Sequence, residues 1–223
     1  MSRKQAIARY RHLRAISKRH FNAALDFIAK PVMMDYARRL GVAYDNAIIL
    51  DDVGDFAYIY DLALYTAKEG RSRAIDRYAR SIHPAPGSDE EITLRAAQAA
   101  RFAVWLVEGR HDTAGLNIFD VAREQTVRLM DEGFEATLPT GVLFASRLQP
   151  VDDFVMTTGA TVPLDSIIFK NCLSNLPGSI TSRMTMIEDY RFAIGVFRAY
   201  LSGEAGARLK HCDTSDLLET EAA

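Results

Sequence analysis

The chain predicts an α+β fold, predominantly α-helical, with a small antiparallel β-sheet or partly closed barrel inserted before the C-terminal helices. Three observations predict it. Apolar residues recur at helical spacing through most of the chain before Gly109. After Gly109 come short β-branched or aromatic runs divided by turn clusters. Helical spacing then returns from Leu164. The implied organisation is a helical domain over 1–110, a β module over 111–164, C-terminal helices over 165–202 packing on the rest, and a polar acidic tail over 203–223.

The first helix sets Ala6, Tyr10, Leu13, Phe21, Ala24 and Ile28 on one face and Lys4, Arg11, Lys18 and Arg19 opposite. Pro31 should end or kink it. The stretch from Met33 to Ile48 echoes a helix-turn-helix around Gly41, but its would-be recognition helix carries acids and no base, so it cannot approach phosphates. A plain helix–Gly–helix junction is the expectation there. Helical patterning runs over about 55–65 and 71–82. Pro84, Pro86 and Gly87 break it, and Ser88 with Glu91 makes a capping box for the next helix. That helix reads on through Phe102, Trp105 and Leu106 as a central buried one. Five short strands should follow: LNIFDVAR, EQTVRLMD, FEATL, VLFASRLQ and DFVMTTG. In the fourth, Val142, Phe144 and Leu148 alternate with Leu143, Ala145 and Arg147. A last helix aligns Met186, Tyr190, Ile194, Phe197 and Leu201.

With 48% apolar and 25% charged residues, the 223-residue chain has a globular make-up, and its net charge of −2 gives no global reason to expect nucleic acid. No apolar run approaches the ~20 residues that span a bilayer, so no membrane partner is expected. Cys172 and Cys212 are too few for a disulfide framework, and a bacterial cytoplasm is the expected location. Charge is uneven: 1–25 hold seven Lys/Arg and no acid, whereas 213–223 hold four acids and no base.

IILDDVGDFAYIYD, residues 48–61, poses the sharpest chemical question. DDVGD resembles the aspartate-rich motif of trans-isoprenyl diphosphate synthases, in which carboxylates one helical turn apart hold Mg²⁺ against a diphosphate. Asp51 and Asp55 at i,i+4 would suit that role, with Asp52 between them. Against it, the other aspartate pair, Asp152-Asp153, sits in an expected hairpin turn, and Gly54 interrupts the helix. A longer set of residues carries a second resemblance: Asp55-Phe56, Tyr60-Asp61, Tyr65, Asp89-Glu90-Glu91, Ala100-Arg101-Phe102, Phe119-Asp120-Val121, Leu138, residues 141–148 and Thr158-Gly159-Ala160. It resembles a group of uncharacterised bacterial proteins in which a helical domain precedes a small β module. Some of them carry a SEC-C type zinc motif. The likeness implies architecture more than activity. Phe56 stands where tryptophan is common, no Asp follows Gly141, and the zinc signature is absent, His211-Cys212 being too few for a four-ligand site. Under this reading Asp55 and Asp61 are helix-surface or capping residues.

Other candidates are weaker. His111-Asp112 lies in a polar turn with no evident nucleophile, Cys172 reads as a core residue, and GEAGARLK lacks phosphate-loop spacing. The resulting expectation is a binding protein without catalytic activity and without cofactor, using the basic first helix and the β module. Arg3, Lys4, Arg11, Arg14, Lys18, Arg19 and Arg147 are its candidate contacts. A protein partner is expected before nucleic acid, and a homo-oligomer is compatible. The alternatives are a Mg²⁺-dependent enzyme on a diphosphate or phosphate ester through Asp51, Asp52 and Asp55, or single-stranded nucleic-acid binding by the β module and the basic N-terminal helix.

Overall fold

The structure, a computed structural model, describes residues 1–68, 70–164 and 189–203. Helix α1 (Arg3–Leu25) starts at a capping box in which the Ser2 hydroxyl accepts from the Gln5 amide and the Gln5 side chain accepts from the Ser2 amide. Ala6, Tyr10, Leu13, Ile16, Ser17, His20 and Ala24 form its buried stripe. Pro31 stands in the first turn of α2 (Lys30–Leu40), where a missing N–H costs nothing. Gly41, at φ +79°, closes α2. No second helix follows. The chain forms a two-stranded ribbon, β1 (Ala43–Tyr44) and β2 (Ala47–Ile48), which corrects the expected helix–Gly–helix junction. Asp45 and Asn46 form its tip, with Asp45 at φ +52°, a conformation Asp tolerates better than most residues. A 3₁₀ turn (Val53–Asp55) leads into α3 (Phe56–Tyr65), followed by α4 (Ala74–Ser81) and α5 (Asp89–Gln98). At α5 the Ser88 hydroxyl accepts from Glu91 N, and the Glu91 carboxylate reaches Gly87 N.

The β module is a closed five-stranded barrel in the order β3 (Arg101–Arg110), β4 (Leu116–Asp120), β5 (Gln125–Leu129), β7 (Phe154–Leu164), β6 (Leu143–Val151), with β6 closing on β3. Every ladder is antiparallel except β5·β7. Helix α6 (Glu132–Thr137) joins β5 to β6. A Greek-key barrel of this order is of the OB type. Two element assignments are corrected. The run from Arg101 is the first barrel strand, not the tail of a buried helix. It is covered on both faces, so Phe102–Trp105 shows no alternation, and a short apolar run of that kind reads equally as helix or strand. FEATL is helical, because Asp131 caps it by accepting from Phe134 N. The barrel thus has five strands, but a different five.

One large core joins α2, α3, all five barrel strands and α7 (Tyr190–Leu201), with Leu62, Trp105, Phe144, Phe192 and Phe197 fully buried in it. The buried face of α7 is Phe192, Ala193, Val196 and Phe197, whereas Tyr190 is exposed, so the expected stripe is rotated. A second core seats Ala6, Tyr10 and Leu13 of α1 against Val151, Phe154 and Met156 of the barrel. A third packs α1 on α3, α4 and α5. Fully burying one large apolar side chain contributes about 1.5–3 kcal/mol, so α1 is fastened to both halves. Met186, both cysteines, His211, the helix expected at 165–175 and the tail from 204 lie outside the described residues.

Candidate binding cleft between the first helix and the barrel

Helix α1 lies along the barrel, and most of its cations are matched within the chain. Arg3 donates to Glu135 (2.7 Å) and to the Thr113 carbonyl (3.2 Å) in the β3–β4 loop. Arg9 bridges Asp89 (2.7 Å) and Asp152 (2.9 Å), the latter in the β6–β7 turn. Arg11 grips Glu132 through two bonds (2.9 and 2.6 Å), and Arg19 approaches Glu90 (3.5 Å). The Arg9 guanidinium, with His12 beside it, holds the Asp89 carboxyl below its usual range. Arg14 donates to the Thr157 carbonyl on β7. Lys4 and Lys18 have no hydrogen bond or ion pair among the described residues.

Lys18 and Arg14 line a cleft of about 400 Å³ between α1, α3 and the barrel. Residues 14, 17, 18, 21 and 22 of α1 supply one wall, the i, i+3, i+4 spacing of a single helical face. Val53, Gly54, Phe56, Ala57 and Tyr60 supply a second, and Gln149 with Thr158-Gly159-Ala160 a third. The Phe56 and Tyr60 rings stack at 5.9 Å and 27°. Gln149 is anchored by donating to the Ser17 hydroxyl (2.6 Å). The volume falls in the range of small-molecule sites.

Asp61 lines the bottom of the cleft and is 2% exposed, which corrects its reading as a surface or capping residue. Arg147, 6% exposed, donates to both its oxygens (3.0, 3.1 and 3.0 Å), and Thr158 donates a further bond (3.3 Å). The Arg147 guanidinium lies over Tyr65 (4.9 Å) and Phe102 (5.8 Å). Burial, with Asp61 nearby, pushes the Tyr65 phenol well above its usual range, so it stays protonated. Beyond this pair lies a second cavity of about 500 Å³ lined by Arg73, Arg101, Arg123 and Arg147. Each of these meets a carboxylate: Arg73 meets Asp76 (2.7 Å), Arg123 and Arg101 meet Asp120 (3.1 and 3.9 Å), and Arg147 meets Asp61.

The aspartate cluster is not arranged as the magnesium alternative requires. Asp51 and Asp52 are exposed on a bend, and Asp52 spends one oxygen on Gly54 N (2.5 Å). Asp55 precedes α3, so Asp51 and Asp55 share no helical turn. Among the described residues no three His, Cys, Asp or Glu converge as a metal group. Asp152 and Asp153 are taken up by Arg9 and Arg128 (3.2 Å), and His111 accepts from Thr113 N (3.1 Å).

The structure therefore brings Arg14 and Lys18 together at the cleft and places Arg147 behind it. Arg3, Arg11 and Arg19 go into ion pairs elsewhere, and Lys4 stands apart. The sequence reading missed Asp61, Phe56, Tyr60 and Gln149 as one site. Asp61 and Arg147 are 86 residues apart, and nothing local signals their pairing. The 14-17-18-21-22 face went unread because Phe21 was grouped with the apolar stripe and Lys18 with the basic face opposite it.

A family of unknown function (DUF7986) matches residues 4–200. No curated protein and no solved structure matches the chain.

Proposed function

Since the chain belongs to DUF7986, a family of unknown function, its role has to be read from its own geometry, and we propose that it is a binding protein without catalytic activity whose ligand seat is the α1–α3–barrel cleft. One observation carries the reading: α1 pairs Arg3, Arg9, Arg11 and Arg19 with carboxylates, whereas Lys18, with no hydrogen bond or ion pair among the described residues, stands beside Arg14 at the mouth of a partly aromatic cavity. The carboxylate lining the cleft, Asp61, is committed to Arg147 and Thr158, which suits a structural floor better than a general base. Nucleic acid is disfavoured. OB-type barrels grip oligonucleotides with the loops that correspond to β3–β4 and β6–β7, and here Arg3 and Arg9 of α1 fasten both.

The test is a thermal-shift screen of small molecules against wild type and Ala57→Trp, which fills the cleft. Ligands that stabilise the wild type should lose that effect in the variant. Stabilisation that survives the filled cleft would overturn the assignment.

A second reading, docking of a protein partner or a second copy, rests on the apolar side chains around the β1–β2 ribbon: Tyr44 is 71% exposed and Val53 83%. Tyr44→Ser with Val53→Ser should then abolish any dimer seen by light scattering in the wild type.

A further inference from the structure

Taking the cleft as the ligand seat, we propose that it takes an anionic ligand with a planar aromatic ring, of mononucleotide size, the ring lying on Phe56 and Tyr60 and the anionic group between Arg14 and Lys18. Two cations and one carboxylate line the cleft, and the carboxylate is already neutralised by Arg147. Lys18 is exposed at the mouth, so a neutral occupant leaves its charge to water, whereas an anion gains a charge-assisted bond from it. The placement of the cations points the same way. Arg14 and Lys18 stand four residues apart on one helical face, an arrangement of like charges that opposes helix formation. Arg3, Arg9, Arg11 and Arg19 of the same helix each found a carboxylate; Lys4 and Lys18 found none among the described residues, and of these two Lys18 lines the cleft.

The ring requirement comes from α3. Phe56 and Tyr60 are one turn apart, half-buried, and stacked with an interplanar angle of 27°, so their faces form a step against which another ring can lie. Asn22 lines the same cleft with no hydrogen bond among the described residues, leaving a carboxamide to read a ring edge. The anionic group could be a phosphate or a carboxylate, and the cleft's chemistry is common to both.

Isothermal titration of the full chain at low salt separates the cases. The probes are 5′-nucleoside monophosphates, the matching nucleosides, inorganic phosphate and 4-hydroxybenzoate. A mononucleotide or the aromatic carboxylate should bind, and the nucleoside or phosphate alone should bind about tenfold more weakly or worse. Which of the two anions binds identifies the group. Lys18→Ala should weaken binding about tenfold while leaving Tm unchanged or raised, because it removes a like-charge pair, and Tyr60→Leu should weaken the mononucleotide more than phosphate. Affinity should fall with salt. A nucleoside that binds as tightly as its nucleotide would overturn the proposal. So would failure of both anionic probes at millimolar concentration while a neutral compound binds wild type and not Ala57→Trp, an outcome that leaves the cleft as the ligand seat. Absence of any ligand sensitive to Ala57→Trp would overturn the cleft reading as well.

Discussion

At the scale of single residues, Asp61 and Arg147 hold α3 to the barrel through a nearly dry, bidentate pair. Removing one partner strands the other's charge. Asp61→Ala or Arg147→Ala should cost about 3–5 kcal/mol in urea unfolding, and Asp61→Leu combined with Arg147→Met should cost much less. His20 makes a second residue-scale prediction. Its Nε2–H donates to the Glu90 carbonyl (3.0 Å), since a carbonyl can only accept, which leaves Nδ1 to accept from the Tyr78 hydroxyl (2.8 Å). This neutral tautomer is fully satisfied, and burial lowers the His20 pKa from its ordinary value. The unfolded chain therefore takes up this proton at higher pH than the folded one. The stability tied to neutral His20 is complete above about pH 6.5 and is lost as the pH falls from there toward the folded value. His20→Gln should flatten that part of a urea-midpoint profile between pH 7.5 and 5.5. An unchanged slope would assign the acid sensitivity to other groups.

At the scale of elements, two glycines with similar φ have different reasons to be there. Gly41 closes α2 at φ +79° with open space around the position of a Cβ, so Gly41→Ala should cost about 1–2 kcal/mol for the left-handed conformation alone. Gly115 enters β4 at φ +84°, and a Cβ there would meet the Leu129 carbonyl oxygen on β5 at 2.2 Å. Gly115→Ala must spread the β4–β5 pair and should cost clearly more than Gly41→Ala in the same denaturant assay. Asp131 joins two elements: one oxygen caps α6 and the other accepts from Thr157 on β7 (3.0 Å). Asp131→Ala should lose about 1–2 kcal/mol, and Asp131→Asn should recover part of it.

At the scale of the whole molecule, the helices and the barrel share cores rather than meeting at a polar seam. Trp105, the single tryptophan, is fully buried in the barrel, whereas the helices dominate the far-ultraviolet signal. Tryptophan fluorescence and circular dichroism should therefore report one coincident urea transition. Removing α1 (Arg3–Leu25) exposes the barrel surface formed by Val151, Phe154 and Met156, and should abolish that cooperative transition. Two separated transitions would instead make the barrel an independent folding unit.

By itself the sequence determined the fold class, the helix start at Ser88, and an apolar stripe on α1, because caps, breakers and periodicity act within a few residues of one another. It also carried the two α1 cations and the Thr-Gly-Ala segment that meet at the cleft. Tertiary structure decided what local pattern cannot encode. Arg101–Arg110 is a strand because it pairs with β4 and β6, and Phe102–Trp105 is buried on both faces, leaving an unbroken apolar run with no period to read. The basic face of α1 is largely neutral because acids from α5, α6 and the β6–β7 turn fold against it. Asp61 is the floor of a cleft because Arg147, far along the chain, arrives on the facing strand. Charge pairing and burial depend on which distant segments come together, and that is settled only when the barrel closes against the helices.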